Sequence, residues 1–190
     1  MIALSRAYVC KLGAPTLKAV DPAIFTLTYF QACMSCTFCH DQCCSHGVDI
    51  DLANAEKLKS VQGRFKDLVG IPSSEWFTGE VIKDVEFPSG QYVRTATKNG
   101  MCVFHGTKGC LIHSYCLEEG IDYHTLKPLV STLFPLTFEH GLLTASTELQ
   151  DGTLICSGPG PTCYDGAREE LRYYFGDELV LELDGLANAR

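Results

Sequence analysis

The sequence is short of positive charge. Fifteen Lys and Arg stand against 23 Asp and Glu, a formal charge of −8. A nucleic-acid binder shows a basic surface, so that class is set aside, and binding to anionic membranes is disfavoured for the same reason. No apolar run approaches the ~20 residues that a membrane span needs. Among the first twenty residues, Arg6, Lys11 and Lys18 interrupt the apolar positions, so the continuous core of a signal peptide is missing. The expectation is a soluble, cytoplasmic protein. Internal repeats, low-complexity segments and clear domain boundaries are also missing. So are the G-x-S-x-G elbow, the P-loop and H-E-x-x-H, which leaves no signature of a familiar hydrolase, nucleotide or metalloprotease site.

What the chain has in excess is cysteine, eleven in 190 residues, five of them in "ACMSCTFCHDQCC". A reducing cytosol disfavours structural disulfides, and an odd count fits a disulfide framework poorly. Cysteine clusters in that compartment are more often metal-binding or catalytic, and the disulfide reading returns only in an oxidising compartment. Cys33, Cys36 and Cys39 are separated by two residues each, Cys43 follows after three more, and Cys44 is adjacent. The first four give C-x2-C-x2-C-x3-C, the bacterial ferredoxin spacing, with Cys44 where ferredoxins place Pro. Two-residue gaps let a tight loop aim successive thiolates at one centre while backbone N–H groups offset their charge. A two-cluster ferredoxin would need a second copy of the run, and the sequence has none.

The remaining candidates are dispersed. Cys102, Cys110, Cys116, Cys156 and Cys163 lie near expected turns or element ends. The inference is that the fold closes the N-terminal run against these downstream thiols, enough for one or two centres. Neighbouring side chains diverge, so Cys43 and Cys44 either face two centres or divide into a ligand and a packed thiol. Cys10 reads as a small buried hydrophobe, and Cys163 reads equally as packing or ligand. His40 and His46 flank the run, and His105 and His113 flank Cys102 and Cys110. Each is a candidate ligand or outer hydrogen-bond donor; the plainer reading of each is a surface or turn histidine.

The expected fold class is α+β, one small compact domain over residues 1–190 with short antiparallel strands and two to four helices. Residues 1–32 form a lead-in with a strand around "AIFTLTYF", residues 33–44 the cysteine knot, and residues 45–190 the body. Ala55, Leu58, Val61, Phe65, Leu68 and Val69 share one helical face, with Asp49 or Asp51 as N-cap and Gly70 as the stop. Gly63 inside that helix costs ~1 kcal/mol relative to Ala. "VIKDVEF", "QYVRTAT" and "MCVF" read as strands joined by "PSG" and "KNG" turns. "CLIHSYCLEEG" reads as a short helix closed by Gly120, and "LTFEHGLLTAS" as a hairpin. The two prolines of "LKPLVSTLFPLTF" prevent one regular element. "SGPGPT" reads as a turn into a last helix over "TCYDGAREELRYYFGDEL".

The run, the helix after it, and the later order "C-x-F … G-C-x-I-H … K-P … L-F-P … C" resemble the CxxCxxCC family, whose members are regarded as zinc- or iron-chelating and iron–sulfur-cluster-containing. The resemblance covers most of the chain from Cys33 onward. It implies ligands at Cys36 or Cys39, Cys43, Cys44, Cys102, Cys110 and Cys156. The family cysteine before "LFP" is Ser131 here, so the resemblance leaves Cys33, Cys116 or Cys163 to substitute.

Zinc and iron–sulfur sites both use four thiolates. Zinc sites show two close cysteine pairs, and this chain has one dense run and no second close cysteine pair. That favours an iron–sulfur centre of the 4Fe–4S kind, with zinc as the alternative. Three functions follow: an iron–sulfur protein with a redox or regulatory role, whose acidic surface suits a partner with a basic docking surface; a structural zinc module that presents an interaction surface; and a metal-assisted enzyme with an open position near Ser131.

Overall fold

The computed structural model describes residues 1–30, 38–107 and 109–189. They form two compact units: Met1–Gln31 with Leu133–Arg190, and Ala32–Thr132. Helix and strand mix throughout both, so the class is α+β.

The N-terminal segment is a hairpin rather than a lead-in. Strand β1 (Ile2–Val9) pairs antiparallel with β2 (Thr16–Val20), with a register irregularity between Ala3 and Tyr8. Leu4, Tyr8, Leu17 and Val20 turn inward, while Arg6 and Lys18 point out. The interleaved charges that break a signal-peptide pattern are therefore the outer face of a strand pair. The strand expected around residues 23–30 is split. Asp21 caps a 3-10 turn over Pro22–Phe25 by accepting from the Ala23 amide, and only Thr28–Tyr29 (β3) extends.

In the Ala32–Thr132 unit, β4 (Asp49–Asp51) leads into α1 (Leu52–Ser60). Asp51 Oδ1 accepts from the amides of Ala53 (3.0 Å) and Asn54 (3.3 Å), the N-cap expected of it. The single long helix expected here is two. Val61 is extended, Gly63 takes φ +64° and ψ −135°, and α2 (Arg64–Val69) starts afresh before closing at left-handed Gly70. Gly63 is thus a breaker, not a tolerated interior residue, because no L side chain adopts that conformation cheaply. The break leaves Leu68 exposed, whereas Phe65 stays fully buried.

Strands β5 (Ile82–Lys83) and β6 (Gln91–Arg94) complete a sheet of order β4-β6-β5. Strands β7 (Thr97–Lys98) and β8 (Met101–Cys102) form a hairpin whose Asn99-Gly100 turn has both φ values positive, the twist-matched two-residue turn. A second tiny hairpin, β9 (His105–Gly106) with β10 (Gly109–Cys110), feeds α3 (Leu111–Glu119), which Gly120 closes at φ +66°. The short helix α4 (Leu129–Leu133) follows. Ile50, Leu58, Phe65, Trp76, Phe104, Ile112 and Cys116 make the core of this unit. Trp76 meets Phe65 and Phe104 edge-on at 5.5 and 5.4 Å and donates its indole N–H to the Ile71 carbonyl at 3.1 Å, which satisfies its one polar atom.

The chain then completes the other unit. Hairpin β11 (Leu136–Glu139) and β12 (Leu142–Ala145) gives a sheet of order β1-β2-β12-β11, in which β12 and β2 run parallel. The sheet is therefore mixed rather than purely antiparallel. After α5 (Thr147–Gln150), "SGPGPT" is not a turn: Ser157–Thr162 is a strand, β13, paired with β3. Its glycine is what permits the approach, since a Cβ on Gly160 would lie 1.9 Å from the Tyr29 carbonyl oxygen. The expected last helix also divides. Helix α6 (Cys163–Phe175) ends at Gly176 (φ +87°), and α7 (Asp177–Asn188) follows. The described residues hold seven α-helices, not two to four. None is long and apolar enough to cross a membrane.

Candidate metal centre

Cys33 and Cys36 lie outside the described residues. The rest of the run is a tight turn. Cys39 is buried, His40 and Asp41 are both left-handed (φ 49° and 52°), and a 3-10 turn carries Gln42–Cys44. The Gln42 amide donates to the Cys39 carbonyl at 3.1 Å and the Cys44 amide to the Asp41 carbonyl at 2.8 Å. Cys43 and Cys44 are half-buried.

Two contacts tie this turn to the downstream cysteines. Asp41 Oδ2 stands 2.9 Å from His105 Nε2, and His105 is the cross-strand partner of Cys110 in the β9–β10 pair. Just after the turn, the Val48 amide donates to Thr95 Oγ1 at 2.8 Å, and the Thr95 amide returns to the Val48 carbonyl at 2.9 Å. Gly47 is required there: a Cβ would meet the Thr95 carbonyl oxygen at 2.6 Å. The Cys102 thiol donates to that same Thr95 hydroxyl at 3.4 Å. Asp41 and buried Thr95 therefore carry the cysteine turn to His105, Cys110 and Cys102.

Cys110 is the N-cap residue of α3. Burial pushes its thiol up, chiefly, and Cys102 adds to this; the His113 amide, the Lys127 ammonium and the Ile112 amide pull it down. Cys116, fully buried in α3, is raised by burial first and then by Cys110 and Asp122. Cys102, Cys110 and Cys116 thus form an electrostatically linked series of thiols. Cys116 lies inside α3, within the helix expected over "CLIHSYCLEEG".

Cys156, Cys163 and Cys10 belong to the other unit. Cys156 is half-buried in the segment before β13. Cys163 opens α6 with no exposed surface, and burial pushes its thiol up to about 11. Cys10 is 2% exposed and likewise raised by burial, first of all; both are the packing environment of inert cysteine. Ser131 is half-buried in α4. His40 and His46 are exposed. His113 stacks on Tyr123 at 4.4 Å and stands 3.2 Å from Lys127 Nζ.

Among the described residues, no group of three or more His, Cys, Asp or Glu side chains is arranged to hold a metal ion. Cys39, Cys43, Cys44, Cys102, Cys110 and Cys116 all belong to one unit, and thiolates are the donor type that zinc and iron–sulfur centres use. The reading of the sequence missed Asp41, Thr95 and Lys127. No motif signalled the Asp41–His105 contact, whose residues stand 64 apart in the sequence. Compared with known proteins, the chain matches no family model, no curated protein and no solved structure.

Proposed function

We propose that the chain is a cysteine-ligated metal-binding protein, and specifically an iron–sulfur-cluster protein with a redox or regulatory role. The observation that carries the reading is the 2.9 Å contact between Asp41, inside the cysteine turn, and His105, the partner of Cys110. It brings together two parts of the sequence that are each rich in thiols. Cys39, Cys43 and Cys44 from the turn and Cys102, Cys110 and Cys116 from the hairpins and α3 would hold the centre, with Cys33 and Cys36 as further donors. The cysteine order shared with the CxxCxxCC family supports the same assignment. A cluster so held supplies reversible one-electron chemistry. The chain's own residues would set its potential through burial, amide N–H groups at the start of α3, and the Lys127 charge. The net charge of −8 suits transient docking on a partner with a basic surface.

Structural zinc is the second reading. What favours it is that a histidine hydrogen-bonded to a carboxylate, as His105 is to Asp41, is the usual outer arrangement around zinc. Cys39→Ser and Cys110→Ser test the assignment common to both. Each is expected to lower bound metal to less than half of the unsubstituted level. Full metal content in both variants would refute it. Cys156→Ser, read in the same way, reports whether the other unit contributes.

A further inference from the structure

We infer that the cleft between α2 and the β7–β8 hairpin binds a small organic carboxylate. Its apolar body lies against Val69, Ile71, Met101 and Val103, and its head is taken by the Lys98 ammonium and the Asn99 amide. The inference goes beyond the metal reading above and does not depend on it.

The floor of the cleft is an outgrowth of the core. Val69, Ile71 and Val103 are half-buried and packed against the cluster that holds Phe65, Trp76 and Phe104. Phe104 is 2% exposed and wedged against Trp76 and Phe65. The Val103 amide donates to the Ala96 carbonyl at 3.0 Å, which fixes the base of the hairpin. Lys98 is the cross-strand partner of Met101, so the lysine stem runs beside the thioether on one face. The Asn99-Gly100 turn has φ values of 53° and 78°, and this two-residue geometry sets where Asn99 stands. The fold itself thus holds the walls, as in the pre-formed apolar sites that small ligands favour. The volume is about 300 Å³. At about 30 Å³ for each water-sized group, it takes a ligand of about ten non-hydrogen atoms.

The polar side chains of the lining divide in two. Cys102 and His105 are engaged within the protein: the thiol donates to Thr95 Oγ1 at 3.4 Å, and His105 Nε2 stands 2.9 Å from Asp41 Oδ2. Lys98 and Asn99 are exposed, and among the described residues neither side chain has a hydrogen bond or ion pair. Adjacent in sequence, an ammonium and an amide N–H at the rim of an apolar trough suit a carboxylate, whose two oxygens can each accept from one of them. No Asp or Glu is among the described lining residues, and Asp41 reaches the edge only through His105. On a chain of net charge −8 the cleft is therefore a local basic spot. A cationic ligand would meet Lys98 unfavourably, and a neutral apolar one would gain nothing from its charge.

The test uses the full chain as purified, labelled with 13C at the methionine methyl groups and titrated with phenylacetate, a carboxylate of the right size. The chain has three methionines. Met101 lines the cleft, and Met1, 85% exposed, reports association elsewhere; Met101→Leu assigns the signal. The expected result is a saturable shift of the Met101 methyl with half-saturation at roughly a millimolar, while Met1 stays still. Phenylacetamide, the neutral counterpart, should bind about fivefold more weakly or worse, and Lys98→Gln should weaken phenylacetate by about the same factor without touching phenylacetamide. A Met101 signal unmoved at about 20 mM phenylacetate overturns the inference. So does a Met1 signal that shifts in step, which would mean non-specific association. Equal binding of acid and amide, or unchanged phenylacetate binding in Lys98→Gln, overturns it as well, because the carboxylate is then not what the cleft recognises. The comparison of acid with amide on the unsubstituted chain carries the test if Lys98→Gln folds poorly. None of these outcomes bears on metal content, so the metal reading stands or falls separately.

Discussion

Asp184 joins α6 to α7. Its Oδ1 accepts from Tyr164 OH at 2.5 Å and Arg168 Nε at 2.9 Å, and its Oδ2 from Arg168 Nη2 at 2.5 Å. The Arg168 fork, with Tyr164 second, holds the carboxyl at about 2, against ~3.9 for an unfolded Asp. A carboxylate depressed by that much contributes up to ~2.6 kcal/mol. The Asp184 side chain is 30% exposed, so solvent screening brings the figure to about 1–2 kcal/mol. The sign follows from the direction: the folded pKa lies below the unfolded one. The contribution is complete above about pH 4 and is lost as pH falls toward 2. Asp184→Asn keeps the shape and one acceptor but removes the charge. Urea unfolding followed by circular dichroism should show it about 1–2 kcal/mol less stable at pH 7, with the gap closing on acidification. Glu169 and Glu182 are also held low, first by Arg172 for Glu169 and by Tyr8 among the lowering contacts for Glu182, and comparison with the variant cancels them. A gap below ~0.3 kcal/mol at pH 7, or one that stays constant down to pH 2, would refute the reasoning.

Three further outcomes are expected. Gly160→Ala should cost about 3 kcal/mol or more, because its Cβ would enter the Tyr29 carbonyl at 1.9 Å; an unchanged thermal midpoint would mean that β13 does not pair with β3 as described. Gly185→Ala, inside α7 with no neighbour within 4 Å of its Cβ, should stabilise by about 0.5–1 kcal/mol, and destabilisation would count against a helix there. In native labelling at pH 8, Cys163 should stay unmodified, since a thiol at about 11 is roughly one part in a thousand thiolate; mass spectrometry that finds it alkylated as fast as in urea would contradict its burial.

Local signals carried much of the fold into view. Asn99-Gly100 and Gly120 each act within a few residues, so the β7–β8 hairpin and α3 are legible from the sequence. Where two local rules compete, the sequence is ambiguous: Gly63 and Gly176 sit inside apolar helical patterns, and only their backbone angles show that each is a break. Pairings between distant segments are the least legible. "SGPGPT" has turn composition, and nothing near it predicts that β3 will take it up as a strand. The same holds at the candidate site. The spacing of the cysteines exposes the N-terminal run, because chain reach is local. That Cys102, Cys110 and Cys116 share its unit while Cys156 lies in the other depends on topology. The Asp41–His105 contact joins residues 64 apart, beyond any motif.

The most direct test is to purify the full chain without oxygen, record its visible spectrum, and measure iron, zinc and acid-labile sulfide per chain. A brown protein with iron and sulfide in matching amounts is the predicted result. Colourless protein with stoichiometric zinc would keep the cysteine ligands and overturn the cluster. Protein with neither metal would contradict the central claim that these thiols hold a metal.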